Sequence, residues 1–347
     1  MKIWLLRAGT VLALGFLALT FVNASWLAAA PRGSVRQIAH RAVAPYFDPA
    51  DVAPGGCAAA KIEAPIHPYI EDTVASAIQA RRMAAILTEI DVSPTADGRI
   101  VAFPDPELDC RTEGKGPVRA KTLAELQKLD VGYGYTADGG RSFPLRGTGV
   151  GAMPTLDQVT RALPTNAILF NFVSDQPGDA KLLIAALKAA GRDVAGLGDG
   201  FHGTPAQVAL IRAQYPEAWV WSDQSAEDCH SGYVLYGWTG ITPAACAGGT
   251  LIVPIDRQWE IWGWPNRTSA RMAKAGARIV VAGPQGSTIT GLSLPEQIGE
   301  IPSSFTGYLW VDDLWNVGPA LHSSIDRRNG HQIDQAEKAL AARRAKQ

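Results

Sequence analysis

Cysteine is scarce, four in 347 residues, and none of Cys57, Cys110, Cys229 and Cys246 forms a C-x-x-C pair. That excludes the paired-thiol zinc and redox motifs. A basic stripe is also missing: 32 Lys and Arg lie scattered among 33 Asp and Glu, for a net charge of −1. A nucleic-acid backbone is therefore not an expected partner. No glycine-rich dinucleotide loop follows the first strand-like run, which counts against a doubly wound nucleotide-binding sheet. There is no internal repeat and no low-complexity linker.

What the chain does have begins at its N-terminus. After a short basic start, residues 8–22 are fifteen residues without a charge. A run of that length suits a secretory signal, since a spanning helix needs about 20 residues. Val22-Asn23-Ala24 is a candidate cleavage site. The apolar residues Trp26-Leu27-Ala28-Ala29-Ala30 that follow lengthen the run enough for an uncleaved anchor. Residues 1–30 thus read as a signal peptide or a membrane anchor, and both readings export the rest, to the periplasm or beyond. The even cysteine count agrees, because two disulfides can form in an oxidising compartment. Of three connectivities, Cys57–Cys110 with Cys229–Cys246 is preferred because it staples neighbouring loops; four buried free thiols is the weaker alternative outside the cytosol.

About 315 residues remain after the leader, and 47% of the chain is apolar, enough for a sizeable core. Short apolar runs alternate with helical patterns. Residues 35–39, 87–92, 167–173, 194–197, 218–221, 251–254, 278–281 and 307–310 are strand-like, and helices are expected over 74–85, 180–190, 204–214 and 267–275. About eight such units predict an α/β fold, a (β/α)₈ barrel spanning 31–347. The segment 104–153 breaks the alternation, being rich in glycine with one helix-like piece at 122–129, and reads as an insertion over about 105–152.

One stretch carries the chemistry. In Glu89-Ile90-Asp91 the alternation of a strand points both carboxylates to one face, where they repel unless a cation lies between them. Oxygen ligands favour Mg²⁺ or Ca²⁺ over zinc. His40 and Arg41 also follow a strand-like run, and catalytic groups of such barrels sit at the C-terminal ends of strands.

The motifs His40-Arg41-Ala42, Glu71-Asp72-Thr73, Glu89-Ile90-Asp91, Thr95-Ala96-Asp97-Gly98, Pro104-Asp105, Arg111-Thr112 and Pro154-Thr155-Leu156 occur in the order and spacing of another set. They resemble the glycerophosphodiester phosphodiesterase family, whose pattern is His-Arg-Gly, Glu-Asn-Thr, Glu-x-Asp, Thr-x-Asp-Gly, His-Asp, Arg-Thr and Pro-Thr-Leu. The resemblance implies a barrel with the insertion capping its mouth against the glycerol part of the substrate. It implies a metal-dependent hydrolysis of phospholipid-derived glycerophosphodiesters to glycerol phosphate and an alcohol. It makes Glu89 and Asp91 metal ligands, puts Asn171 where the third acidic ligand often stands, makes His40 catalytic, sets Arg41 on the phosphate and places Trp310 at the mouth. For each a bland role competes: a core histidine, a surface ion pair, simple barrel packing.

The departures are specific. The second histidine of the pattern is Pro104 here, which has neither a side-chain proton nor a backbone N–H. Its lysine falls on Val173, Ala42 replaces a glycine, and Asp175 adds a negative charge. His202 is a candidate substitute after a predicted strand, although its reading as a loop residue without a role weighs more; His67 and His230 belong to loops. Two alternatives therefore stand beside the hydrolase: an impaired barrel that binds a phosphodiester or lipid headgroup without turnover, and a sphingomyelinase D-like phospholipase. The aromatic stretch 232–265 reads mainly as packing between barrel helices, with membrane association as the sharper reading. The tail from Gln335 reads as a solvated helix. The alcohol, the metal and the oligomeric state are not legible.

Overall fold

A computed structural model describes residues 2–53, 55–286 and 289–346. The first residue of the leader and the last of the C-terminal tail lie outside the described residues. In chain order the elements are α1 (Lys2–Asn23), β1 (Arg36–Ala39), α2 (Val74–Arg82), β2 (Ala85–Pro94), β3 (Ile100–Ala102), α3 (Leu123–Leu126) and α4 (Leu156–Ala162). They continue with β4 (Ala167–Phe172), α5 (Pro177–Ala189), α6 (Val194–Leu197), β5 (Gly200–His202), α7 (Pro205–Gln214), β6 (Trp219–Trp221) and α8 (Asp223–Tyr236). The last are β7 (Thr250–Pro254), α9 (Asn266–Lys274), β8 (Arg278–Ala282), β9 (Tyr308–Val311), α10 (Leu314–Leu321) and α11 (Gly330–Arg344).

The sheet order is β6-β5-β4-β2-β1-β9-β8-β7, with β3 added antiparallel on β2. The first strand neighbours the last, the signature of a (β/α)₈ barrel rather than an open doubly wound sheet. Its strands are apolar and buried along both faces, as parallel strands between helices must be; β2 is buried at nine of its ten residues. The sequence also sets where helices begin. Thr73 caps α2, and capping boxes Thr155/Gln158 and Thr204/Gln207 open α4 and α7, each satisfying first-turn N–H groups that the helix leaves unpaired.

The chain divides into two compact units. One comprises Gln37–Ser222, Thr290–Ile298 and Trp310–Gln347; the other Met1–Arg36, Asp223–Ile289 and Gly299–Leu309. The larger unit contains the segment between β3 and β4, residues 103–166. Phe103, Leu108, Leu126, Val131, Tyr135 and Met153 of that segment form a buried cluster with Ala59, Ile62 and Ile70, and Cys57–Cys110 staples the two stretches together. In this unit α11 also buries Ala336, Leu340 and Arg343. Arg343 pairs with Glu63 and Asp313 at 2.9 Å each and lies over the Tyr46 ring, so the tail is a docked helix rather than a solvated one.

Three expectations give way elsewhere. Residues 194–197 form a helix, because the Asp193 side chain accepts the Gly196 N–H at 2.9 Å and Gly198, at φ 76°, ends the turn; the strand follows at 200–202. Cys229 lies on α8 rather than in a turn, and it bonds Cys246 as expected. Core packing accounts for Tyr233 but not for Tyr236, Trp238, Trp259 and Trp262, which are exposed.

Candidate active site

All of the following lies in the larger unit. Parallel pairing sets four residues side by side across adjacent strands: Asp91 on β2, Asn171 on β4, His202 on β5 and Trp221 on β6. His40 follows β1 directly, Asp312 follows β9 directly, and Glu89 lies two residues before Asp91 on the same face of β2. These C-terminal strand ends bring together His40, Arg41, Glu89 and Asp91 as the sequence predicts. Pro104 comes beside them, since the preceding Phe103 N–H donates to the Asp91 carbonyl at 2.9 Å.

His40 is held from both sides. Its Nδ1 lies 2.5 Å from Asp312 Oδ1 and its Nε2 3.4 Å from Glu89 Oε2. With Asp312 accepting, Nδ1 carries the ring proton and Nε2 is left for chemistry. Burial opposes charge on this imidazole, but Glu89 and Asp312 outweigh it and hold the pKa above the ordinary value. Burial likewise works against Asp312, yet the charge and hydrogen bond of His40 keep its carboxyl below the usual range. Its other oxygen accepts the Gly291 N–H at 2.8 Å.

Glu89 accepts the Arg41 N–H at 3.1 Å. Burial pushes its carboxyl up to about 7, with His40 and His202 pulling down and Asp91 pushing up. Asp91 is also raised by burial, against the hydrogen bond from the Asn171 side-chain amide at 2.6 Å. A third carboxylate joins them. Asp72 accepts the Asp91 N–H at 3.0 Å through Oδ1, while its Oδ2 is buried without a hydrogen-bond partner. Burial first, then Asp91, raise its pKa well above the ordinary range.

Arg41 is anchored from behind rather than free to wander. Its Nη1 lies 3.6 Å from Glu71, which also pairs with Arg111 and accepts the Tyr135 hydroxyl at 2.7 Å. Arg111 in turn binds Asp105 at 2.8 Å. Burial pushes Asp105 up to about 6 despite Arg41. The backbone here is strained: of the four non-glycine residues with positive φ among those described, three, Arg41, Ala42 and Asp72 (54°, 62° and 56°), belong to this site, and the fourth, Ala84 at 60°, precedes β2. Such outliers persist where surrounding structure over-determines them, and they cluster at functional sites.

Aromatic rings line the same row. His202 stacks on Trp221 with ring centroids 3.9 Å apart, Trp221 meets Trp310 edge-on at 6.0 Å, and Trp310 lies 5.2 Å from the His40 ring. The indole Nε1–H groups of Trp221 and Trp310 are both buried without an acceptor. Sequence reading missed the parts played by Asp312, Asp72, Trp221 and the Glu71–Arg111 pair, and it misjudged His202, which ends a strand instead of sitting in a loop. The signal for Asp312 was present: it follows the last strand as His40 follows the first.

The donors gathered around Glu89 are oxygens, the set a hard divalent cation takes. Among the described residues no group of three or more His, Cys, Asp or Glu is placed so that it could hold a metal ion as it stands. Yet three carboxylates, all raised by burial and two of them, Asp72 and Glu89, also by the charge of Asp91, with one Asp72 oxygen unpartnered, form a charge pattern that a cation relieves. The donor chemistry fits such an ion.

Comparison with known proteins agrees with the motifs. Residues 59–180 match the model of the Glycerophosphoryl diester phosphodiesterase family. The glycerophosphodiester phosphodiesterase of Bacillus subtilis (strain 168) is 30% identical over 146 residues, 40% of this chain and 46% of that protein. That of Caldanaerobacter subterraneus subsp. tengcongensis is 32% identical over 125 residues, 34% of this chain and 47% of that protein. The chain thus spans less than half the length of these curated relatives. Among solved structures, the glycerophosphodiester phosphodiesterase from Agrobacterium tumefaciens str. C58 aligns over 81% of this chain and 98% of its own, with TM-score 0.53 and 21% identity. An Oleispira antarctica phosphodiesterase in complex with the product sn-glycerol-3-phosphate aligns over 83% and 96%, with TM-score 0.55 and 18% identity. This structural likeness shows a shared fold, the (β/α)₈ barrel.

Proposed function

We propose, taking residues 59–180 as a glycerophosphoryl diester phosphodiesterase family domain, that the chain hydrolyses glycerophosphodiesters to glycerol phosphate and an alcohol. One observation carries this reading: an imidazole fixed between two buried carboxylates, Asp312 and Glu89, at the strand ends where Asp91 and Arg41 also meet. In the reaction a water oxygen attacks phosphorus, the ester P–O bond breaks and the departing alcohol takes up a proton. His40 Nε2 is poised to take the water's proton, with Asp312 stabilising the imidazolium that forms. Arg41 faces the phosphate, backed by Glu71 and Arg111, so that its charge is held in place.

Glu89 and Asp91 would hold a divalent cation, Mg²⁺ or Ca²⁺, with Asp72 and Asn171 beside them. When bound, it would offset charge on the phosphoryl oxygens. Pro104 cannot give the leaving oxygen its proton. His202, one strand from Asn171 and close enough to Glu89 to lower its pKa, is the group we assign to that step. The cap over about 105–152 would contact the glycerol part, and Trp310 would line the mouth. The two disulfides and the apolar helix α1 support an exported protein.

The test is hydrolysis of glycerophosphocholine by the full chain with Mg²⁺, Ca²⁺ or chelator. Metal-dependent release of glycerol phosphate is expected, falling roughly a hundred- to ten-thousand-fold in His40→Asn, His202→Asn and Glu89→Ala. Pro104 and Val173 favour one competing reading, a barrel that binds phosphodiesters without turnover. No hydrolysis by the native chain together with activity gained in Pro104→His would establish that reading instead.

A further inference from the structure

The smaller unit carries a different kind of site, and the inference from it is independent of the chemistry above. α1 is 22 residues long, about 33 Å of helix, which matches a hydrocarbon layer of roughly 30 Å. No residue of its span Ile3–Asn23 is fully buried, and only its C-terminal end, partly buried at residues 22 and 23, is seated against the rest of the unit. Helix ends leave carbonyls without partners, and a cation favours that end of the dipole. Here Arg271 donates to the Val22 carbonyl at 2.8 Å and to Asn23 Oδ1 at 3.2 Å. Arg267 donates to the Phe21 carbonyl at 3.0 Å. Asn23 donates onward to the Trp238 carbonyl at 2.7 Å, and the Asn266 N–H donates to Ser25 Oγ at 3.0 Å. Gly240 keeps room for the helix, since a Cβ there would come within 3.1 Å of Val22.

We propose that α1 is not removed but retained as a single membrane anchor, and that the apolar face around its foot rests in the interfacial layer of the bilayer. The residues of the candidate cleavage site, 22–24, are those the socket holds: Ala24 is buried and Asn23 is bound by Arg271. Removing the helix would strip both arginines of these partners. The surface of the same unit is rich in large exposed apolar residues, namely Trp26, Leu27, Tyr236, Trp238, Ile241 and Trp262. Tryptophan and tyrosine are the residues that favour the headgroup level, and such a patch on a soluble face would be an aggregation liability. The short basic start, Lys2 and Arg7, precedes the uncharged run 8–22, the order of an export segment whose N-terminal end stays in the cytoplasm. The disulfide-bonded remainder then lies on the oxidising side, in keeping with both bridges.

The test expresses the full chain in a bacterium, fractionates the cells and measures intact mass. The expected result is an uncleaved chain, at least tenfold enriched in a membrane pellet that resists carbonate and is released by detergent. A soluble product whose N-terminus lies at or beyond residue 24 would overturn the anchor. The interfacial seat is read separately, in phosphatidylcholine–phosphatidylglycerol vesicles containing a brominated phosphatidylcholine. Quenching of tryptophan fluorescence should fall in Trp26→Phe and Trp238→Phe but not in the interior control Trp219→Phe. Equal quenching in all three, with the chain crosslinking as a dimer, would make the face a contact between copies and overturn the seat.

Discussion

The two units err in opposite directions from what water alone would select. The larger one buries charge: Glu71, Asp72, Glu89, Asp91, Arg111 and Asp312 are all buried. The smaller one exposes apolar rings, and outside α1 it holds all five of the exposed large aromatic residues described, Trp26, Tyr236, Trp238, Trp259 and Trp262. Buried charge costs free energy unless it is paired, and exposed apolar surface forgoes the main favourable term in folding. On the two readings proposed above, each anomaly points outward, to an ion and an anionic substrate in one unit and to lipid in the other. Neither kind of site needs the other's physics, so the contrast can be probed by changes that cost stability in one unit and leave it untouched in the other.

The largest effect on stability is expected from Arg111→Met. It leaves Glu71 and Asp105 without their shared partner, and breaking a buried pair from one side costs about 3–5 kcal/mol, measurable as a fall in the urea midpoint. Next comes a dependence on pH. His67 is buried against Trp315 and Tyr69, and burial pushes its pKa down to about 4. Between the unfolded value near 6.5 and that folded value the unfolded chain binds the extra proton. The contribution is therefore complete above pH 6.5 and lost as the pH falls toward 4, a loss of ~3 kcal/mol at most. Urea unfolding at pH 7.5 and 4.5 should show a smaller difference in His67→Gln than in the parent.

Asp72→Asn should act in the opposite sense. Without metal it removes one of three crowded carboxylates and the buried unpaired oxygen, stabilising the protein by about 1 kcal/mol, while the rise in Tm produced by Mg²⁺ should shrink. A variant that loses stability in chelator would mean that the cluster is not strained by its charge. The smallest effect is predicted for Trp259→Ser, where the side chain is 80% exposed. Its stability should stay within about 0.5 kcal/mol of the parent. A larger loss would break the contrast, since it would make that ring part of the fold.

The barrel was legible because alternating apolar runs and helical periods are local signals, and His40, Arg41, Glu89 and Asp91 were legible because they follow or end such runs. Residues 194–197 were not, since a four-residue apolar run has no period long enough to separate strand from helix; the Asp193 cap and the Gly198 stop decide it. His202 was misjudged for the same reason, because misplacing the strand by a few residues turned a strand end into a loop. Asp72 hid inside a motif where it reads as a near match. Its unpaired oxygen exists only once β2 has been brought against the turn before α2, a contact that no local pattern announces. The register of Asn171 beside Asp91 was likewise not legible, since pairing between strands 80 residues apart leaves no local mark; its amide bonds that carboxylate.

Arg343 gives the fold a timetable. It clasps Asp313, the neighbour of the carboxylate that orients His40, from a helix lying some 300 residues further along the chain than that histidine. A polypeptide emerging from the ribosome has released its first strand and both strand carboxylates long before this clasp can form. The clasp is thus the last part of the site's support to be synthesised, and a chain cut short before α11 would keep every barrel strand, His40 and Asp312 while losing the arginine that holds Asp313.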